Sequence, residues 1–221
     1  WFRPHNGLFD RQEYWQHAFE VIDEILAQLQ PCTYFHIGMD EDHWRSYTQY
    51  VEAIKTLHAG LKERGLRTMI WNDSACGWPE AHIHLEKSVY AESRIPTEIT
   101  QIVWDYAAAV DRTIFERVRD AGFSTWGAPG DTNIQTMKAV LSETRCQGLI
   151  MTRWIPCIEA NREKLRDVLL DALAEHGNAE VFFDTTIMDI REISGPDCST
   201  AELLDERGGS FGEFDLVVDA M

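Results

Sequence analysis

The chain is short of positive charge. Its 221 residues hold 20 lysines and arginines against 37 aspartates and glutamates, a formal net charge of −17. Lys and Arg form no cluster, and a phosphate-binding surface needs one, so nucleic acid is not an expected partner. Long apolar runs are also missing. Nothing approaches the roughly 18–20 residues that a membrane span requires, so no membrane association is expected. The five cysteines, Cys32, Cys76, Cys146, Cys157 and Cys198, are odd in number and form no Cys-x-x-Cys unit. Neither a disulfide framework nor a zinc site is expected; reduced thiols in a cytoplasmic protein are, and no secretory-signal pattern opens the chain. His82 and His84 make a His-x-His pair, but no third ligand stands at helical or hairpin spacing, so no metal is expected. Gly-x-Gly-x-x-Gly does not occur, which argues against a complete dinucleotide-binding half. Oligomeric state is left undefined by the sequence.

What the chain does have is a stretch that the rest is organised around, Tyr34-Phe-His-Ile-Gly-Met-Asp-Glu-Asp-His-Trp44. Aromatic and β-branched residues open it as a buried strand. Gly38 breaks the run, and three acids follow, Asp40, Glu41 and Asp42. Acids there suit the first turn of a following helix. They also put charge at the carboxyl end of a strand, where α/β folds carry their chemistry.

Around this stretch strand and helix alternate. Apolar residues at three and four spacing predict helices over Arg11–Gln30, ahead of Pro31, and Trp44–Arg64, ahead of Gly65. Leu66–Asp73 and Ile99–Tyr106 read as strands, with a short helix possible near Glu86 between them. Asp111–Ala121 reads as a helix, Phe123–Trp126 as a short strand before a Gly127–Gly130 turn, Asn133–Thr144 as a helix and Gly148–Trp154 as a strand. Such alternation with short connections predicts a parallel sheet of βαβ units, either doubly wound or a (β/α)8 barrel. Trp71, Trp104, Trp126 and Trp154 each fall at or near the carboxyl end of a predicted strand, which favours a barrel, where those ends share one opening. Singly, each indole also suits a core. Together around an acid pair they suit a sugar site.

His36-Ile-Gly38-Met-Asp40-Glu41 resembles the His-x-Gly-Gly-Asp-Glu signature of family 20 glycoside hydrolases, the β-N-acetylhexosaminidases. The likeness extends to the preceding helix, Phe9–Leu29, and over about residues 1–154; Met39 stands where that family usually has its second glycine. It implies a partial (β/α)8 TIM-type barrel in which the Tyr34 strand is the fourth, so that strands four to eight are present in residues 1–157. It further implies a small carbohydrate substrate, terminal β-linked N-acetylhexosamine, cleaved with retention and no metal or cofactor. The substrate's own 2-acetamido group then replaces the second carboxylate that most glycosidases use. By this resemblance Glu41 is the general acid and Asp40 orients the acetamido group, while Trp71, Trp104 and Trp154 wall the sugar subsite. His36 is either an orienter of the acids or a core histidine. Asp73 and Asp105 are either sugar-hydroxyl ligands or loop caps. The family's acetamido-binding tyrosine has no match near Trp126.

After about Ile155 the pattern changes. Residues 158–221 carry 16 acidic and 5 basic side chains, most of the net charge. An amphipathic helix over Asn161–Leu173 leads into an extended Ala179–Ile193, a strand at Thr200–Leu204, a Gly208–Ser210 turn and a strand over Phe214–Ala220. Arg162, Leu165 and Leu169, with Asp215-Leu-Val-Val-Asp-Ala220, resemble a stretch of FAD-dependent monooxygenases. That resemblance implies a small α+β tail, and FAD as a cofactor only under a second, oxidoreductase alternative. A third is a non-catalytic carbohydrate-binding remnant.

Overall fold

The computed structural model describes residues 10–28, 32–77, 82–156, 158–164, 166, 189–194, 199–204 and 210–214. The chain divides into two compact units, Trp1–Ala172 and Leu173–Met221.

The first unit alternates helix and strand: α1 (Gln12–Leu26), β1 (Tyr34–His36), α2 (Tyr47–Glu63), β2 (Arg67–Asn72), α3 (His82–Glu92), β3 (Thr100–Asp105), α4 (Arg112–Asp120), β4 (Thr125–Pro129), α5 (Ile134–Thr144) and β5 (Gly148–Leu149). All four strand pairings are parallel and the order is β1-β2-β3-β4-β5. The sheet curls into a half-barrel with helices on its outer face. Local chemistry sets the helix limits. Ser46 accepts the Gln49 amide and Gln49 returns a bond to the Ser46 amide, a capping box that starts α2. Gly65 beyond it takes φ +74°, the left-handed geometry that ends helices. Asp111 caps α4 through the Thr113 amide.

Two layers of apolar packing hold the unit. Outside the sheet, Ile70 and Val103 meet Tyr50, Val51 and Ile54 of α2, Phe115 and Val118 of α4, and Met137, Val140 and Leu141 of α5. Inside the curl, Met69, Ile102, Trp104 and Ala128 pack with Tyr34, Trp71, Tyr106, Trp126 and Ile150. The register follows the pleat: Trp71 pairs with Ile102, Ile102 with Trp126, and Trp126 with Gly148, one level of the inner face. Helix α1 joins α2 through the Arg64–Asp23 ion pair and the stacking of Arg64 on Phe19.

Several boundaries differ from the sequence expectation. β4 runs from Thr125 to Pro129, so Gly127-Ala-Pro is strand and not turn. A glycine suits that place because a Cβ there would sit 2.6 Å from the Met137 sulfur. Trp126 is therefore near the amino end of its strand; it shares a level with Trp71, one below Trp104, so the four indoles do not sit at equivalent strand ends. β5 is only Gly148–Leu149, and α1 ends at Leu26. α3 is a full helix of 11 residues over the segment where only a short one was expected.

In the second unit β6 (Asp189–Ser194), β7 (Ser199–Leu204) and β8 (Ser210–Phe214) form an antiparallel sheet in that order. Ser210 opens β8, where the sequence suggested the end of a turn. Pro31, Cys157, Cys198, most of the predicted helix to Leu173, the extended run before Asp189 and the Asp215–Ala220 strand lie outside the described residues. Among the described residues no helix is long and apolar enough to cross a membrane.

Candidate functional site

The chemistry-bearing side chains gather where β1, β2 and β3 end. After β1 the backbone makes an unusual turn: Gly38, Met39 and Glu41 all have positive φ, +74°, +73° and +47°. Only glycine takes this region freely, so Met39 and Glu41 hold strain that the surroundings must impose. The imposed contacts are identifiable. The Gly38 amide donates to His36 Nδ1 at 3.0 Å, the Tyr50 hydroxyl donates to the Met39 carbonyl at 3.0 Å, and the Glu41 amide donates to Asp73 Oδ2 at 2.9 Å.

Asp73, one residue past β2, is the centre of the arrangement. Its other oxygen, Oδ1, accepts the Trp104 indole N–H at 2.7 Å, and its own amide is bonded to Ser88 Oγ at 3.0 Å. One buried carboxyl thus ties the acid loop of β1 to the indole at the end of β3. Burial pushes Asp73 up to about 6; the charges of Asp40 and Glu41 add to this, and the two accepted hydrogen bonds oppose it. Burial, then the neighbouring Glu41 charge, raises Asp40 as well. Cys76 lies buried beside them, and burial followed by the charges of Asp73, Glu41, Asp105 and Asp40 pushes its thiol far up. It is held as a neutral thiol, not a nucleophile.

A second set of charges pins the acid loop from below. Asp42 Oδ1 accepts the amides of Trp44 and Arg45, and Asp42 Oδ2 accepts Arg45 Nη1 at 2.8 Å. Arg45 also pairs with Asp10 at 3.1 Å. From α3, Lys87 donates to both the carbonyl and the carboxylate of Asp42, although the residue is only 1% exposed. Burial works against ionisation of Asp42, yet the bonds from Arg45 and the charge of Lys87 hold it below the ordinary carboxylate range.

Each expected residue can now be located. Asp40 and Glu41 stand on the β1 loop, half-buried and exposed respectively. His36 packs against Trp71 with ring centroids 4.4 Å apart. Burial lowers it to about 4, so it is a neutral imidazole that accepts at Nδ1, and its buried Nε2–H has no partner among the described residues. Trp71 and Trp104 are next to last in β2 and β3 and face the inner layer. Asp105 lies one residue further, on the opposite parity. Its carboxylate accepts the Ala107 amide at 2.8 Å, so it shapes the β3–α4 loop. Trp154 is 70% exposed and donates its indole N–H to the Tyr106 hydroxyl at 2.5 Å. Tyr106 in turn packs on Trp104, centroids 5.3 Å apart. Trp154 and Trp104 are thus joined through Tyr106, which the sequence did not single out. Lys87 and Asp42 were also missed as a pair. The one visible signal was a lysine on the face of α3 that also carries His84, Ser88 and Ala91, where an apolar residue was due.

No group of three or more His, Cys, Asp or Glu among the described residues is arranged to hold a metal ion. No known family model matches the chain, and no curated protein is significantly similar to it.

Proposed function

We propose that the chain is a glycoside hydrolase of the family 20 type, acting on terminal β-linked N-acetylhexosamine by a substrate-assisted retaining route. In this assignment β1 to β5 are strands four to eight of the barrel. The observation that carries the proposal is the Asp73 bridge: it ties a strained, acid-bearing turn to Trp104, which packs with Trp71 and Tyr106 in the inner layer. Strain held by specific bonds marks functional turns. Aromatic faces with a few convergent acids suit a pyranose.

The chemistry would run in two steps. Glu41 protonates the glycosidic oxygen as the substrate's acetamido oxygen attacks the anomeric carbon, and the aglycone leaves as an alcohol. Asp40 holds the acetamido N–H and offsets its developing positive charge. Water then adds to the anomeric carbon of the oxazolinium and gives its proton to the Glu41 carboxylate, restoring both groups. Hydrolysis on this route needs no metal or cofactor. The test is release of chromophore from an aryl N-acetyl-β-glucosaminide by the chain and by its Glu41→Gln variant. Turnover that falls at least about a hundredfold in the variant supports the proposal; equal turnover in the two removes Glu41 from the chemistry.

A second proposal is sugar binding without turnover. It is favoured by the sheet itself, five strands with β1 and β5 unpaired at their outer edges among the described residues. Affinity for N-acetylglucosamine that survives Glu41→Gln, with no turnover in either protein, selects it. The flavin alternative for residues 158–221 has only its sequence resemblance in support, and cofactor absorbance of the purified protein tests it.

A further inference from the structure

The acid pair is held from both ends. On one side the Met39 carbonyl accepts the Tyr50 hydroxyl of α2 at 3.0 Å; on the other the Glu41 amide donates to Asp73 Oδ2 at 2.9 Å. The two anchors meet in one side chain of α3. Ser88 Oγ accepts the Asp73 amide at 3.0 Å, and the Ser88 hydroxyl bonds the Tyr50 oxygen. Donation therefore runs one way, from the Asp73 amide through Ser88 and Tyr50 to the Met39 carbonyl, and every donor in it has an acceptor. Bonds linked in this way strengthen one another and fix geometry. Ser88 is 4% exposed and Tyr50 2%, so water does not compete for them.

Met39 needs such a hold. Its φ of +73° is a conformation that a long side chain takes only when forced, and that side chain packs, with Ile37, against the outer apolar cluster. Of the three bonds that fix the turn, only the one from Tyr50 falls on Met39 itself. Burial, then the charge of Asp73, raises the Tyr50 phenol far above its ordinary range, so it stays an O–H donor. Tyr50 and Ser88 are both buried, and they reach the acids only through the backbone of the turn.

We propose that Tyr50 and Ser88 are the positioning residues of the acid pair: the phenol imposes the left-handed turn at Met39, Ser88 ties that anchor to the Asp73 anchor, and Asp40 and Glu41 keep one orientation as a result. The hold on the turn stands on these bonds alone; its effect on turnover rests on the hydrolase assignment.

The experiment is amide hydrogen exchange at Glu41, followed by NMR, in Tyr50→Phe, in Ser88→Ala and in Tyr50→Phe combined with Met39→Gly. Turnover of the aryl N-acetyl-β-glucosaminide is measured beside it. A phenyl ring fills the space of the phenol in the core, and the amides in the middle of α2 report whether each variant is folded. Relative to those amides, Glu41 is expected to exchange about tenfold faster in Tyr50→Phe and about threefold faster in Ser88→Ala. Met39→Gly should return the Tyr50→Phe rate to within about threefold of the unaltered protein, because glycine takes a positive φ without being held. A side chain that only filled the core would not be rescued in this way. Likewise kcat should fall about tenfold in Tyr50→Phe and recover with the glycine, while KM stays within about twofold. Glu41 exchange that keeps pace with α2 in both single variants overturns the proposal, whatever the turnover. Faster exchange with unchanged kcat removes the positioning role and leaves the hydrolase assignment standing. No turnover by the unaltered protein overturns that assignment, and exchange alone then decides whether Tyr50 and Ser88 hold the turn.

Discussion

At the scale of single residues, Asp73 sets the most testable balance. Its carboxyl accepts two N–H groups yet is almost wholly buried, and burial prevails, so that it titrates at about 6 in place of 3.8. A carboxyl raised on folding is easier to protonate in the native state than in the unfolded chain. Its ionisation therefore costs stability, a cost absent below about pH 4, growing between 4 and 6, and complete above 6, on the order of 3 kcal/mol. Asp73→Asn removes that cost but turns an amide NH2 toward one of the two donors, a loss of about 1–3 kcal/mol at every pH. The difference in stability between variant and native protein is expected to move in the variant's favour as pH rises from 4 to 7. Urea midpoints at three pH values check this, and a difference that stays flat removes the burial account. His36 works in the other sense. Held to about 4 by burial, it favours the neutral imidazole, so its contribution is full above pH 6.5 and is lost as pH falls through 4. In the native protein the two titrations oppose each other across the same acidic range.

At the scale of elements, the link between α3 and the β1–α2 loop is the Lys87–Asp42 pair, both partners almost out of water. Breaking one side of such a pair leaves a charge without its compensation, which costs about 3–5 kcal/mol, whereas replacing both sides costs much less. Lys87→Met and Asp42→Asn are each expected to destabilise, and the double variant to lose clearly less than the two losses combined. Chemical denaturation of the four proteins measures this coupling. Additive losses would mean that α3 and the loop are not energetically joined. This pair also marks where sequence stopped being informative. The helices were legible because apolar spacing and stop signals such as Gly65 after α2 are local; the caps refine their starts, with Ser46 and Gln49 setting α2 three residues beyond the expected Trp44 and Asp111 standing just outside α4. The acid turn was legible too, since Gly38 and the three acids are consecutive. Lys87 meets Asp42 across 45 positions, and the Tyr106–Trp154 bond spans 48, distances at which no local pattern exists. Trp126 was misjudged for a different reason. Gly127-Ala-Pro129 has turn composition, but its parallel pairing with β3 overrides that preference.

At the scale of the whole molecule, the chain is two compact units with different sheets, one parallel and curled, one antiparallel. Both apolar clusters of described residues belong to the first unit. A fragment ending at Ala172 is expected to unfold as one cooperative transition, with a near-ultraviolet signal from its buried Trp104 that disappears at the same midpoint. Circular dichroism in the near and far ultraviolet, recorded on the same melt, checks it; a broad or non-coincident transition would mean that the first unit depends on the second. The inner face of that unit carries a further constraint. A Cβ at Gly148 would fall 2.2 Å from the Trp126 ring, so the last strand lies flat on the indole. Positions 126 and 148 therefore share one volume across two neighbouring strands. Enlarging residue 148 alone has nowhere to go, and shrinking residue 126 alone leaves a void. Only a reciprocal exchange, small at 126 and large at 148, keeps the space filled, so in any set of variant sequences these two positions should change together or not at all.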